Sequence, residues 1–263
     1  MNAKATRIIA IANEKGGVGK TVTVINLGAA LVREGKEVLI VDMDPQANAT
    51  KGLGFKIEEE QLSIYDLLND PDSHRVDDLI SATQWEGLYL IPSHVDLAGA
   101  EVELVNVQGR ENRLKEVFGN LERSFDYILL DTPPSLSLLT VNVLTYAKEV
   151  LVPCQTQPYA YSALEDLFDT IEAVNEEINP ELRVSGIVAT FFSKRTRVSQ
   201  NILEKLKENE NYRKFLFDTV VRTNTTIAES AEVGKPVVFY RSTSYGASDY
   251  CQLARELMDR AAA

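Results

Sequence analysis

Residues 13–27 read NEKGGVGKTVTVINL and have the composition of a loop that holds the phosphates of a nucleotide. Glycine-rich loops that follow a strand and open a helix turn their backbone N–H groups toward phosphate oxygens. Here Lys20 would place a positive charge near the β- and γ-phosphates, and Thr21 would offer its hydroxyl to Mg²⁺. The start of the helix adds the positive end of its dipole. The sequence therefore predicts a site for a nucleoside triphosphate with Mg²⁺.

The loop departs from the ordinary phosphate-binding pattern at its first position. That pattern reads G-x-x-x-x-G-K-[ST], and counting back from Gly19 places the leading glycine at residue 14. The chain has Glu14 there, followed by a second lysine, Lys15, and then by Gly16 and Gly17, which permit the tight turn. A lysine this close to a phosphate nest indicates a second cation for the phosphates and not an ordinary solvated side chain.

Two further apolar runs end in carboxylates. The run at 37–44 ends with Asp42 and Asp44, and the run at 127–131 ends with Asp131. A buried strand that delivers a carboxylate to the magnesium shell is the Walker B arrangement, which Asp131 fits. Two residues apart on a strand, Asp42 and Asp44 would face the same side, so that one serves the metal and the other orients the attacking water. The alternative is a pair of turn-forming aspartates before the following proline.

The elements that must position these residues follow from the alternation of short apolar runs with helical patterns. This alternation predicts a doubly wound, mostly parallel α/β sheet with helices on both faces. Ligands bind at the carboxyl ends of the strands in such a sheet, which would bring the loop and the aspartates together. We expect a single domain over residues 1–263. The predicted strands are 7–13, 37–44, 88–93, 127–134, 149–155, 184–192 and 235–240. The predicted helices are 21–35, 111–122, 162–178, 198–210 and 246–260, and the predicted solvated segments are 56–61 and 205–214.

The composition favours a globular protein with an acidic surface. The 263 residues carry a formal net charge of −12, which would repel nucleic acid and anionic membranes unless basic residues cluster locally. Cys154 and Cys251 are far apart and no C-x-x-C occurs, so neither a cysteine-ligated metal centre nor an iron–sulfur cluster within one chain is expected. No apolar stretch approaches the roughly 20 residues of a membrane-spanning helix, and we expect a cytoplasmic protein.

Three segments together resemble the ParA/MinD family of deviant Walker ATPases. They are KGGVGKT at 15–21, VDMDPQANATKGLG at 41–54 and DTPPSLSLLTVNVLTYA at 131–147, and the likeness extends through 151–164 and 224–240. The chain is most similar to the small ParA/Soj type, which partitions chromosomes and plasmids. The resemblance implies a P-loop ATPase that hydrolyses ATP slowly with Mg²⁺ and forms a homodimer when ATP is bound.

The resemblance also assigns roles in hydrolysis to single residues. It implies that Lys15 reaches across the dimer to the phosphates of the partner subunit, whereas Lys20 acts within its own chain. A cation supplied by a second subunit would stabilise transition-state charge as an arginine finger does, and hydrolysis would then depend on dimerisation. Asp44 becomes the residue that positions water. The residues expected at Mg²⁺ are Thr21, Asp42 and Asp131.

The nucleotide-binding set follows from the same resemblance, with two departures from the family pattern. Val22 stands where most relatives have a threonine, so we expect somewhat weaker binding, and Glu14 replaces the commoner glutamine and adds a negative charge. Asn224 matches the family position near the adenine. The residues expected to bind nucleotide are Lys15, Gly16, Gly17, Val18, Gly19, Lys20, Thr21, Val22 and Asn224.

The implied function is partition of DNA. The ATP-bound dimer would bind DNA without sequence preference, a ParB-like partner would stimulate hydrolysis, and the protein would lie on the nucleoid. Because the net charge is negative, the DNA contacts must be concentrated in a basic patch. The expected contacts are Lys194, Arg195, Arg197 and Arg222.

Three other functions fit the same motifs. One is a ParA-like ATPase that positions a protein cargo, and another is a MinD-like ATPase that cycles on and off a membrane. The third is a metabolic enzyme with the same fold, for example an iron–sulfur reductase or a synthase. The C-terminal segment 248–263 lacks the basic and bulky apolar faces of a membrane-binding helix, so we expect it to pack on the domain and expect no membrane partner.

Overall fold

A computed structural model describes residues 5–56 and 61–260 of the chain. Within these residues eight strands form one sheet, in the order β3-β4-β2-β5-β1-β6-β7-β8. All neighbours pair in parallel except the short edge strand β3, which runs antiparallel to β4. The strands are β1 (Arg7–Ile11), β2 (Val38–Asp42), β3 (Ser81–Ala82), β4 (Leu88–Ile91), β5 (Tyr127–Asp131), β6 (Glu149–Gln155), β7 (Arg183–Phe192) and β8 (Leu216–Arg222).

Helices cover both faces of the sheet, as the alternation of the sequence predicts. Alternate residues of β1 show the division: Ile8 and Ala10 pack into one apolar cluster, and Ile9 and Ile11 pack into the other. The doubly wound α/β fold is therefore confirmed. The helices are α1 (Lys20–Arg33), α2 (Asn48–Gly52), α3 (Ile64–Asn69), α4 (Leu97–Glu103), α5 (Arg113–Phe118), α6 (Leu138–Tyr146), α7 (Pro158–Glu177), α8 (Arg197–Glu208), α9 (Thr225–Glu232), α10 (Val237–Tyr240) and α11 (Tyr245–Arg260).

The last strand of the sheet differs from the sequence prediction. The predicted strand at 235–240 is wrong, because Pro236 caps the short helix α10 and Val237 and Val238 are buried in a helical turn. The chain instead completes the sheet with β8, which sequence reasoning missed. Buried and more exposed residues alternate along β8, as expected of an edge strand with one covered face.

Helix α11 packs on the domain, as expected. Leu253 and Leu257 are fully buried, and the helix lies against α1 and β8. No helix of the described residues is both long and apolar enough to cross a membrane. Cys154 is buried within β6. Of the predicted solvated segment 56–61, residues 57–60 lie outside the described residues.

Candidate functional site

The glycine-rich loop joins the end of β1 to the start of α1 and has a shape that only glycine permits at two positions. Gly17 and Gly19 have φ angles of 76° and 92°, in the left-handed region that side chains disfavour. A Cβ atom on Gly19 would also lie 3.2 Å from the ring of Phe191. The loop is therefore held in a tight turn whose end is the N-terminus of α1, where an anion is stabilised.

Lys20 is buried at this helix start and its ammonium faces the interior of the loop. Its Nζ donates hydrogen bonds to the carbonyl oxygens of Asn13 at 2.9 Å and Lys15 at 3.2 Å. Burial lowers the pKa of Lys20, while the carboxylates of Asp131 and Asp44 oppose this shift. Phosphate oxygens carry negative charge and are stronger acceptors than the two carbonyls, so they would draw the ammonium away from them.

Asp131 and Asp42 are neighbours at the carboxyl ends of the paired strands β5 and β2. Both are fully buried. Asp42 Oδ2 accepts hydrogen bonds from the backbone N–H of Thr50 at 2.8 Å and from its hydroxyl at 2.7 Å. Burial is the main cause that raises the pKa of Asp42 to about 6, and the nearby carboxylate of Asp44 adds to it.

Asp131 carries a buried carboxylate whose two oxygens have no hydrogen-bond partner among the described residues. Burial raises its pKa well above the ordinary value, and the charge of Asp42 raises it further. The Thr21 hydroxyl and the Lys20 ammonium lie close enough to oppose that shift, although the hydroxyl does not complete a hydrogen bond of ordinary geometry. An unpaired buried carboxylate requires a counter-charge.

The residues present fit a magnesium ion held together with nucleotide phosphates. Carboxylate and hydroxyl oxygens are the hard ligands that Mg²⁺ prefers, and Mg²⁺ usually keeps few protein ligands and takes the rest from phosphates and water. Asp131, Thr21 and Asp42 supply that donor set next to the phosphate loop. The described residues hold no cluster of three His, Cys, Asp or Glu side chains that would enclose a metal alone.

Asp44 lies beyond β2, so the expectation that both aspartates occupy one strand is wrong. The strand ends at Asp42, and the chain turns there because Pro45 follows Asp44 and cannot continue the sheet ladder. The turn is fixed by the backbone N–H of Asp44, which donates to Asp42 Oδ1 at 3.2 Å, and by the Ser93 hydroxyl, which donates to Asp44 O at 2.7 Å. Asp44 is thereby held near Lys20, whose pKa it influences.

Glu14 and Lys15, the two residues that depart from the ordinary phosphate-loop pattern, both contact helix α7. The Thr170 hydroxyl donates to Glu14 Oε1 at 3.0 Å, which gives the carboxylate a partner on the helix. The ammonium of Lys15 lies over the ring of Tyr159, 5.4 Å from its centroid. Sequence reasoning found the lysine but not the tyrosine, because a single aromatic residue after a proline belongs to no recognisable sequence motif.

Asn224 caps helix α9. Its Oδ1 accepts the backbone N–H of Thr226 at 2.8 Å, and its Nδ2 makes no hydrogen bond within the described part of the chain. Next to it, the hydroxyl of Thr223 donates to the carbonyl oxygen of Phe191. Phe191 has a φ of 50°, which is unfavourable for a bulky side chain and tends to mark functional sites. Sequence gave no signal for this residue.

Two valines complete the predicted nucleotide-binding set. Val18 is buried, and its carbonyl oxygen accepts a hydrogen bond from the Thr190 hydroxyl at 2.8 Å. Val22 is half-buried, and its side chain packs against the apolar cluster of α1. The backbone of both residues therefore belongs to the loop and first helical turn, as predicted, whereas the side chain of Val22 has no hydroxyl to offer.

The four predicted DNA contacts fall into two environments. Lys194 and Arg195 are exposed in the loop between β7 and α8, Arg197 is exposed at the first residue of α8, and none of the three makes an ion pair among the described residues. Arg222 is instead bound to Asp249, to which its Nε donates at 3.0 Å, and it lies over the ring of Tyr245. Its charge is thus neutralised within the chain, and its role in binding DNA stays a prediction.

The fold and these side chains define a P-loop protein whose site fits a nucleoside triphosphate and Mg²⁺. A family model described as an AAA domain matches residues 6–184. Sporulation initiation inhibitor protein Soj of Bacillus subtilis (strain 168) is 42% identical over 251 residues, which cover 95% of this chain and 98% of Soj. Chromosome partitioning protein ParA of Myxococcus xanthus (strain DK1622) is 42% identical over 259 residues, which cover 98% of this chain and 90% of that protein.

A solved structure extends the comparison. Cobyrinic acid a,c-diamide synthase from Mycobacterium smegmatis, with bound ADP and magnesium, superposes with a TM-score of 0.85 at 32% identity and covers 98% of this chain and 96% of its own. The chain belongs to the ParA/MinD-type family of P-loop ATPases.

Proposed function

We propose that this protein is a DNA-partition ATPase that uses ATP and Mg²⁺. The observation that carries the proposal is the carboxylate of Asp131, which has no hydrogen-bond partner in residues 5–56 and 61–260 and is buried beside the phosphate loop, where a magnesium ion would supply its counter-charge. The identity of 42% to Soj and to ParA over nearly the whole chain supports the biological role.

The residues of the site divide the work of hydrolysis. The loop N–H groups and Lys20 would bind the phosphates, and Thr21, Asp42 and Asp131 would hold a magnesium ion, which would supply positive charge to the phosphate oxygens. Asp44 orients the attacking water, for which its fixed turn near Lys20 suits it. Lys15 supplies its cation to the phosphates of a second copy of the chain, so that hydrolysis requires an ATP-bound homodimer.

Dimerisation would also switch on DNA binding. Lys194, Arg195 and Arg197, at the junction of β7 and α8, present three cations without an ion pair in the described part of the chain, too few for one subunit of an acidic protein to hold DNA at physiological salt. Two copies double the number of neutralised phosphates, and affinity rises steeply with that number. The ATP-bound dimer therefore binds DNA without sequence preference and resides on the nucleoid.

The partner would be a ParB-like protein that stimulates hydrolysis and returns the chain to its monomeric, DNA-free form. A protein assembly in place of DNA as cargo would use the same cycle. Membrane attachment is disfavoured because α11 buries Leu253 and Leu257 in the domain. A synthase activity is named for one structural relative, but the identity of the chain to that protein is 32%, lower than to the partition proteins.

The test is a salt-titrated binding assay on unrelated DNA duplexes, with ATP and with ADP. We expect tight binding only with ATP. Arg195→Glu should lower affinity on every duplex and reduce the slope of log K against log salt by about 2, since a dimer loses two phosphate contacts worth about 0.9 each. Lys115→Glu, a charge reversal at an exposed residue of α5, is the matched control. Equal affinity with ATP and ADP would refute the switch.

A further inference from the structure

Lys15 is held within its own subunit by three contacts. Its backbone N–H donates to Asn13 Oδ1 at 2.9 Å, and its carbonyl oxygen accepts from Lys20 Nζ at 3.2 Å. Its ammonium lies 5.4 Å from the centroid of the Tyr159 ring. No carboxylate of the described residues lies within ion-pair distance of this ammonium. The ring is therefore the group that fixes the position of the charge.

Tyr159 has no evident role in stabilising the fold. It is 78% exposed at the start of α7, where Pro158 occupies the first helical turn and fixes the backbone direction. The same helix holds Glu14 through Thr170, so α7 restrains both residues that precede Gly16. An exposed ring that is set on a rigid helix start and covered by a cation is suited to position that cation.

We propose that Tyr159 is a positioning residue that keeps Lys15 on its own subunit until two ATP-bound subunits meet. The proposal rests on the role of Lys15 across the dimer given above. Binding of phosphates draws Lys20 away from the carbonyl oxygen of Lys15, so that only the bond to Asn13 still holds the backbone of that residue. The contact with the ring then remains as the restraint on the ammonium, and it is exchanged for the phosphates of the second subunit when the dimer forms.

The size of the effect follows from the strength of an exposed cation–π contact, which corresponds to a bias of about two- to fivefold toward the held position. Each subunit must release one lysine, so the two factors multiply. Removal of the ring should therefore tighten the ATP-dependent dimer by about 4- to 25-fold.

The first measurement is the dimer dissociation constant with Mg²⁺ and a non-hydrolysable ATP analogue, by analytical ultracentrifugation. Tyr159→Leu should tighten the dimer by that factor, and Tyr159→Phe, which keeps the ring, should match the parent. Tyr245→Leu is the matched control, because Tyr245 is 68% exposed at the start of α11 and also carries a cation over its ring. A Tyr159→Leu dimer that is unchanged or weaker would overturn the proposal.

The second measurement observes the lysine directly in the nucleotide-free monomer. In protein labelled with ¹³C at the lysine ε-carbons, the signal of Lys15, assigned by its absence in Lys15→Ala, should be shifted by the ring current and should lose that shift in Tyr159→Leu. An unshifted signal in the parent would refute the contact. An undisturbed ATP dimer of Lys15→Ala would instead refute the role of Lys15 across the dimer, whereas loss of that dimer with no effect of Tyr159→Leu refutes the restraint alone.

Discussion

Replacement of Asp131 by asparagine should make the nucleotide-free protein more stable while removing its Mg²⁺-dependent hydrolysis. The carboxylate is fully buried, neither oxygen has a hydrogen-bond partner in the described residues, and burial and the charge of Asp42 raise its pKa. Its ionised form therefore destabilises the nucleotide-free protein. Asp131→Asn keeps the shape of the side chain and removes the charge, so the nucleotide-free variant should be more stable than the parent at neutral pH.

The expected gain follows from the cost of an unsatisfied buried polar group, about 1 to 3 kcal/mol. The amide of asparagine remains buried and Lys20 loses a counter-charge, so the lower half of this range is the better expectation. For a chain of this size, about 1 kcal/mol corresponds to a change in Tm of about 2 to 4 °C. The Tm of the nucleotide-free variant should thus rise by a few degrees.

Thermal unfolding with and without Mg²⁺ and ATP tests this reasoning. Ligands that bind only the folded state raise Tm by mass action, so the parent should gain far more from Mg²⁺ and ATP together than the variant does. Asp166→Asn, a change at an exposed carboxylate of α7, should leave the Tm unchanged both without ligand and with Mg²⁺ and ATP. A nucleotide-free variant less stable than the parent, or one that retains Mg²⁺-dependent hydrolysis, would refute the assignment of Asp131 to the metal.

The remaining predictions concern the other residues of the site. Lys20→Ala removes a charge-assisted contact, so calorimetry should show ATP affinity reduced at least about tenfold; affinity equal to the parent would mean that the site is misassigned. Asp44→Ala should bind ATP, persist as a dimer in size-exclusion chromatography and hydrolyse about 10²- to 10⁴-fold more slowly, and hydrolysis at the parental rate would contradict its role. Val22→Thr restores a hydroxyl beside the phosphates and should tighten ATP binding by about two- to tenfold. The pKa of Asp42, raised to about 6, means that its stabilising contribution to the nucleotide-free protein is complete below the unfolded pKa of about 3.9 and is lost as the pH rises from there through 6; the Tm difference between Asp42→Asn and the parent should therefore grow between about pH 4 and 6 and level off above pH 6, and a constant difference across this range would contradict the shift.

The sequence predicted the phosphate loop and most of the sheet because both depend on local patterns. Positions 17 and 19 have positive φ angles that favour glycine, so the loop is visible in the sequence. Buried parallel strands are continuous apolar runs and are easily recognised. The end of the sheet was harder. Residues 235–240 contain β-branched residues typical of a strand, but Pro236 and contacts with α11 make them a helix, while the alternating edge strand β8 was overlooked.

The candidate site was predictable where charge and spacing carry the chemistry, as at Lys20 and Asp131. It was not predictable where a side chain acts through a contact distant in sequence. Glu14 was expected to add charge near the phosphates, yet it accepts a hydrogen bond from Thr170, 156 residues away. The pairing of Arg222 with Asp249 is likewise invisible without the fold, because it joins β8 to α11.

The strained backbone of Phe191 limits how the exposed basic segment from Lys194 to Arg197 can be redesigned. Thr190 bonds to Val18 and the Phe191 ring lies against Gly19, so the last residues of β7 form part of the wall of the phosphate site. The first of the three exposed cations, Lys194, follows only three residues later. A graft that replaces the segment from Lys194 to Arg197 must therefore begin after Ser193, whose N–H bonds to the Ser199 hydroxyl, because an earlier boundary would also replace part of the wall of the phosphate site.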